Sequence, residues 1–291
     1  MVRGIESFRK WFQGYEEQYA IIGGTACDLL MTDEGLDFRA TKDIDLVLII
    51  EAVDADFGHR FWEYVIAAGY EHRNRSTGEP QFYRFTNPRT KEYPTMIELF
   101  TRLPDAVILP ENATLSPLSM EDDISSLSAI LLDEDYYEFL KKGRIQLSEV
   151  TVLDVPYLIP FKAKAWLDLS QRKAEGGRVD SRSIRKHKND VFRLTELLDR
   201  NIKPLSFLPD AIKADMSKFA ESMRAEDVNL KQIGILGKSK EDILEELETI
   251  YREGILTCKT NTKNPLIIGR NDSIISLYAN HSARYLFKVR R

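Results

Sequence analysis

The chain has 291 residues, 43% of them hydrophobic and 30% charged, with a formal net charge of −5. That length can bury a substantial core in one large domain or about two smaller ones, and the composition excludes a disordered or fibrous chain. The mild acidity gives no global attraction to nucleic acid or anionic membrane, so any site for a polyanion has to be local.

Residues 4–17 place Ile5, Phe8, Trp11 and Phe12 at helical spacing, which predicts a leading amphipathic helix. YAIIG then reads as a short buried strand, with Gly23-Gly24 as the turn out of it and Thr25 as the cap of a helix, ACDLLMTDE, that ends near Gly35. DIDLVLII is a second strand, FGHRFWEYVIAAGY a second buried helix stopping at Gly69, and QFYRF and TMIELF two further strands. Residues 104–118 carry prolines without periodicity and read as a connecting loop. ISSLSAILL, YYEFL and EVTVL are expected as β segments. From Val155 onward the period is helical, through VPYLIPFKAKAWLDLSQRK and SRSIRKHKNDVFRLTELLDR to about residue 253. The last thirty or so residues are basic and have no clean period.

The expected fold class is therefore α+β: a small mixed sheet with helices, followed by a mainly helical C-terminal region. The expected division is 1–150 for the first domain, 151–255 for the helical one and 256–291 for a tail of undetermined structure. No window reaches the roughly 18 apolar residues of a membrane span, and the N-terminus has no apolar block of signal-peptide length, so a cytoplasmic protein with no membrane partner is expected. Of the two cysteines, Cys27 falls in an apolar helical pattern and reads as a small buried thiol far from Cys258; a disulfide framework is not expected.

The chemistry concentrates at the start of the second strand. Asp43 and Asp45 are two residues apart, so both project from one face while Ile44 and Leu46 project from the other. Adjacent carboxylates repel unless a cation neutralises them, and the natural partner is a hard divalent ion held by oxygen. Glu98, in MIELF, alternates in the same way and is a candidate third ligand. Three such carboxylates can hold two Mg²⁺ ions roughly 3.5–4 Å apart. Gly23 and Gly24 let the backbone approach phosphate oxygens, the following helix offers free N–H groups, and Thr25 adds a hydroxyl. A phosphate cradle beside a metal pair is the equipment of phosphoryl or nucleotidyl transfer from an NTP.

The run IIGGTA, then RATKDIDLVL, then an acid in a later strand resembles the polymerase-β-like nucleotidyltransferase superfamily, and within it the AbiEii/MenA-type nucleotidyltransferase toxins of bacterial type IV toxin–antitoxin systems. FKAKAWLDLSQRK is similar to that family's helix bearing a phosphate-contacting lysine, and KHKNDVFRL to its later helix with a functional acid. By position these carry over as Lys164, with Lys162 the alternative, and Asp190. The resemblance covers roughly residues 19–200. The segment DEGLDFR makes the interval from Gly24 to Asp43 longer than the family's spacing, and Glu98 stands where some relatives have Asp.

The resemblance implies a catalytic set of Asp43, Asp45, Lys164 and Asp190, with nucleotide held by Gly23, Gly24, Thr25 and Lys164 and metal by Asp43, Asp45 and Glu98. It also implies tRNA or another RNA as acceptor and an antitoxin protein as partner. Two other readings stay open: a small-molecule, antibiotic-type nucleotidyltransferase, and a nucleotide-binding module whose chemistry has lapsed. The basic face of RSIRKHKNDVFR reads either as a solvated helix or as a track for a nucleic-acid backbone or the triphosphate. For Asp190 the plain alternative is a surface ion pair with Lys186 at i,i+4. The histidines have no metal-ligand spacing, so a zinc site is not expected.

Overall fold

The computed structural model describes residues 2–74, 81–102, 130–131, 133–199 and 203–252. In chain order these form α1 (Ile5–Phe12), β1 (Tyr19–Ile22), α2 (Gly23–Asp33), β2 (Asp43–Leu48), α3 (Ala55–Ala68), β3 (Glu71–Asn74), β4 (Gln81–Thr86), β5 (Met96–Thr101), α4 (Glu134–Lys142), β6 (Arg144–Leu147), β7 (Val150–Leu153), α5 (Val155–Ala174), α6 (Ser181–Leu194), α7 (Asp210–Ala225) and α8 (Lys240–Tyr251). The architecture is α+β: one mixed sheet in the N-terminal half, then helices. The residues described all fall within one compact unit, Met1–Gly254.

The seven strands lie in the order β3-β4-β5-β2-β1-β7-β6. β2 is central, antiparallel to β1 and parallel to β5, and β7 joins β1 in parallel through Ile21 and Val152. Because side chains alternate along each strand, the register sorts the sheet into two faces. Ile44, Ile97 and Phe85 share one row. Phe85 meets Phe61, Trp62 and Tyr70 of the α3 region, so this face is covered by α3 and, through Phe8 and Phe12, by α1. Asp45, Glu98 and Arg84 share the next row and must project from the opposite face. There α2 packs on β1 and β2, and against α5 and α6.

Local sequence explains most boundaries. Asp54 caps α3 by accepting from the Phe57 N–H, and Gly69 ends the helix at φ 65°. Asp154 caps α5, with Pro156 in its first turn, and Ser239 forms a capping box with Asp242 at α8.

Four expectations are corrected. The leading helix stops at Phe12 instead of running to 17, and Gly14, at φ 90°, opens the turn that follows. YYEFL is not a strand but the middle of α4. Asp133 caps it through the N–H groups of Asp135 and Tyr136, acids fill its first turn and lysines its last, and its buried Tyr136, Tyr137, Phe139 and Leu140 form one face. The β-prone aromatics outweighed those end signals in the sequence reading. Strands β3 and β6 escaped it because EHRN and RIQL show too little apolar alternation. Finally, α2 starts at Gly23 rather than after a Thr25 cap. The expected loop at 104–118, the tail at 256–291, Cys258, and all of ISSLSAILL except Ile130 and Leu131, which are helical, lie outside the described residues or are not regular strand within them.

Candidate active site

Gly23 stands directly after β1, with φ +69°, and Asp45 is one strand away beside Ile22. A Cβ at Gly23 would fall 1.6 Å from the Asp45 carboxylate Oδ2. Only glycine leaves room for that carboxylate against the first turn of α2. At Gly24 a Cβ would meet the Thr41 hydroxyl at 2.8 Å and the Arg39 guanidinium at 3.4 Å. The Thr25 hydroxyl, expected as a cap, donates instead to the Asp43 carbonyl, tying the helix start to the head of β2. The α2 N-terminus therefore has no side-chain cap, and its first N–H groups are left for another acceptor.

Asp43 and Asp45 are both half-buried and open on this side. Burial, and then the Asp45 charge beside it, push the Asp43 carboxyl above its ordinary range. Glu98, 5% exposed, is paired in register with Asp45 on one side and Arg84 on the other. Burial, then Asp45, push its carboxyl up to about 8. Arg84 donates to Glu98 Oε1 from Nε at 2.9 Å and lies at 2.8 Å through Nη2.

The far wall comes from α5 and α6. Asp190, expected either as a functional acid or as a surface partner of Lys186, is fully buried. Arg39 grips it bidentately, Nε to Oδ1 at 2.9 Å and Nη2 to Oδ2 at 2.6 Å, with Lys162 at 3.4 Å and Arg193 at 3.7 Å. Burial alone would raise the Asp190 carboxyl; Lys162 and the Arg39 bonds outweigh it and hold it below the usual range. Lys186, one turn earlier, is exposed and faces the aspartate pair, lowering the Asp43 pKa. Lost hydration, then Lys162 and Arg39, lower its own. His187 is held neutral by the same crowding: burial first, then Lys162, bring its pKa down to about 3, and its buried Nδ1 has no hydrogen-bond partner among the described residues.

The structure thus gathers Gly23, Gly24, Thr25, Asp43, Asp45, Glu98 and Asp190 around one cleft. It does not bring Lys164 there. The Lys164 ammonium lies 3.2 Å from Asp215 and 3.5 Å from Asp168, in a cluster that also takes the Tyr136 hydroxyl. Lys162, 1% exposed, is the lysine of α5 that joins the site. Sequence reasoning passed over Arg39, Arg84 and Lys186 as functional groups. Arg84 could have been found from its place in QFYRF, where alternation puts it on the face opposite Phe85. Arg39 had no comparable signal, because the segment carrying it has no period.

A divalent cation fits this donor set in part. Asp43 and Asp45 supply two carboxylates whose closeness is costly without a counter-charge, and Mg²⁺ is usually held by one or two carboxylates with water and substrate phosphates completing its shell. Glu98 is next to Asp45, as a third ligand must be, but its Oε1 is committed to Arg84. Among the described residues no three His, Cys, Asp or Glu side chains converge as a ready metal cage. Cys27 takes no part: it is buried in α2, its thiol donates to the Gly23 carbonyl at 3.1 Å, and burial pushes its pKa up to about 11.

Neither a family model nor a curated protein matches this chain. Among solved structures, an antigenic nucleotidyltransferase-like protein from Paracoccidioides brasiliensis aligns over 79% of this chain and 89% of its own, at 15% identity and a TM-score of 0.39. An overlap that loose leaves the assignment of the site to its own residues.

Proposed function

We propose that the protein is a metal-dependent nucleotidyltransferase, moving a nucleoside monophosphate from an NTP to a hydroxyl acceptor with release of pyrophosphate. The observation that carries this reading is the packing of the Asp45 carboxylate against Gly23, which puts a carboxylate pair directly beside an uncapped helix N-terminus. One part of that junction suits a divalent cation and the other suits the phosphates that such a cation accompanies.

In the reaction, an acceptor oxygen forms a bond to the α-phosphorus as the bond to the β-bridging oxygen breaks, and pyrophosphate carries away the charge. When bound at Asp43 and Asp45, Mg²⁺ supplies charge neutralisation and lowers the pKa of an oxygen it holds. The N–H groups at the start of α2 receive the β- and γ-phosphates. Lys186 and Lys162 offset charge that builds on the leaving group from the α5–α6 side. Asp190 does not face substrate: it holds Arg39 over Gly24 and so fixes the wall of the phosphate turn. This moves the lysine role from Lys164 to its neighbours on the cleft side. RNA, tRNA included, as acceptor and an antitoxin as partner are supported only by the likeness of the IIGGTA and RATKDIDLVL motifs.

The test is incorporation. Wild-type protein, Mg²⁺, each labelled NTP and total cellular RNA should give labelled RNA, and the paired substitution Asp43→Ala with Asp45→Ala should abolish it. Label found in a small hydroxylated compound instead would select the antibiotic-type reading. Neither turnover nor metal-dependent NTP binding would leave the lapsed module as the description of the chain.

A further inference from the structure

Arg84, Glu98 and Asp45 occupy consecutive positions of one row across β4, β5 and β2. Each is fixed on both sides. Glu98 Oε1 takes two contacts from the Arg84 guanidinium, at 2.9 and 2.8 Å, and its carboxyl is hydrogen-bonded to Asp45. Asp45 is in turn confined by the backbone of Gly23. Glu98 is also the most enclosed acid of the three at the cleft, 5% exposed where Asp43 and Asp45 are half-buried. To ligate a cation directly it would have to give up charge-assisted bonds to a guanidinium that would then be left without that carboxylate, a costly exchange at a buried position.

We propose that Glu98 is a positioning residue, clamped by Arg84, that orients the Asp45 carboxylate for metal, and that it does not itself ligate the cation. The inference rests on the reading of Asp43 and Asp45 as metal ligands. Hydrogen-bonded partners of this kind set the orientation of a ligating carboxylate, and their loss weakens metal binding even though they never touch the ion. The arrangement predicts a particular pattern of rescue. Glutamine at 98 keeps an oxygen to accept from Arg84 and an N–H to donate to Asp45; alanine keeps neither.

The experiment is Mn²⁺ titration of the full-length protein by electron paramagnetic resonance, with a non-hydrolysable NTP analogue present, for wild type, Glu98→Gln, Glu98→Ala and the double Asp43→Ala/Asp45→Ala variant. Glu98→Gln should bind Mn²⁺ within about 3-fold of wild type, while Glu98→Ala should weaken it by about 10-fold or more. Equal losses in both Glu98 variants would make Glu98 a ligand and overturn the inference alone. Unchanged binding in both would remove its positioning role and overturn it as well. Wild-type binding no stronger than that of the double variant would instead overturn the metal site, and the inference with it. Thermal melts report whether each variant folds, and should Glu98→Ala fail to fold, retention or loss of Mn²⁺ in Glu98→Gln decides.

Discussion

Arg39 and Asp190, 151 residues apart in sequence, meet in a bidentate ion pair beneath the phosphate turn. The acid is completely buried and the arginine side chain is 22% exposed. Lys162 is the second buried cation that depends on the same carboxylate. Removing the acid leaves two cations enclosed without their counter-charge. Asp190→Asn should therefore destabilise the fold by about 3–5 kcal/mol, the range for breaking a buried pair. Urea unfolding measures it, and a loss under about 1 kcal/mol would show that the pair behaves like a surface ion pair.

Two glycines with nearly the same backbone separate conformational strain from steric conflict. Gly23 has φ +69° and Gly35 φ +71°, but only Gly23 has the Asp45 carboxylate in the space of a Cβ; Gly35 has open space. Gly35→Ala should cost about 1 kcal/mol for its left-handed backbone alone. Gly23→Ala should cost more in stability and also abolish metal-dependent NTP binding, because Asp45 must move. Calorimetric titration of both variants checks this, and equal binding by the two would remove the steric argument.

The two lysines of α5 should behave differently. Lys162→Met strips a fully enclosed cation from Asp190 and should impair both folding and turnover. Lys164→Met loses a part-exposed pairing with Asp168 and Asp215, worth at most about 1 kcal/mol, and should leave turnover within about 3-fold of wild type. A larger loss of turnover for Lys164→Met than for Lys162→Met would restore Lys164 to the site.

His187 gives the stability a sign on acidification. Its pKa is near 3 in the folded chain against an ordinary 6.5, so between those values the unfolded chain binds the extra proton. The contribution is fully present above about pH 6.5 and is lost as pH falls toward 3, with a slope approaching about 1.4 kcal/mol per pH unit. Denaturant unfolding at pH 7 and pH 5 should show a steeper loss for wild type than for His187→Gln. Equal losses would place the imidazole in contact with solvent.

Much of this was legible before any coordinates. β1, β2 and β5 could be read because YAII, DIDLVL and MIELF alternate or run apolar, and with them came the shared face of Asp43 and Asp45. The glycine turn could be read because two glycines follow a buried strand. What stayed hidden were partners set by tertiary packing. Whether Lys162 or Lys164 faces the cleft depends on the rotation of α5 against α2 and α6, which helical periodicity does not settle when Val155–Ala174 has apolar residues on nearly every side. The spacer DEGLDFR looked like an insertion without a task; its last residue is the cation that holds Asp190. Arg84 was hidden differently, since the row that joins it to Glu98 follows from strand register, a property of the pairing and not of either strand alone.

The sheet order has a bearing on how the protein is made. β7 lies beside β1, and Asp190 reaches back to Arg39, so both closures join the chain's beginning to residues translated more than a hundred positions later. During synthesis the phosphate turn and the aspartate pair emerge first, with Arg39 still lacking its counter-charge. A ribosome-bound chain that stops short of α6 carries the recognisable motifs without the wall that holds them in place. The activity proposed here would thus switch on only once α6 has emerged, and a fragment cut near residue 150 would be a poor substitute for the enzyme.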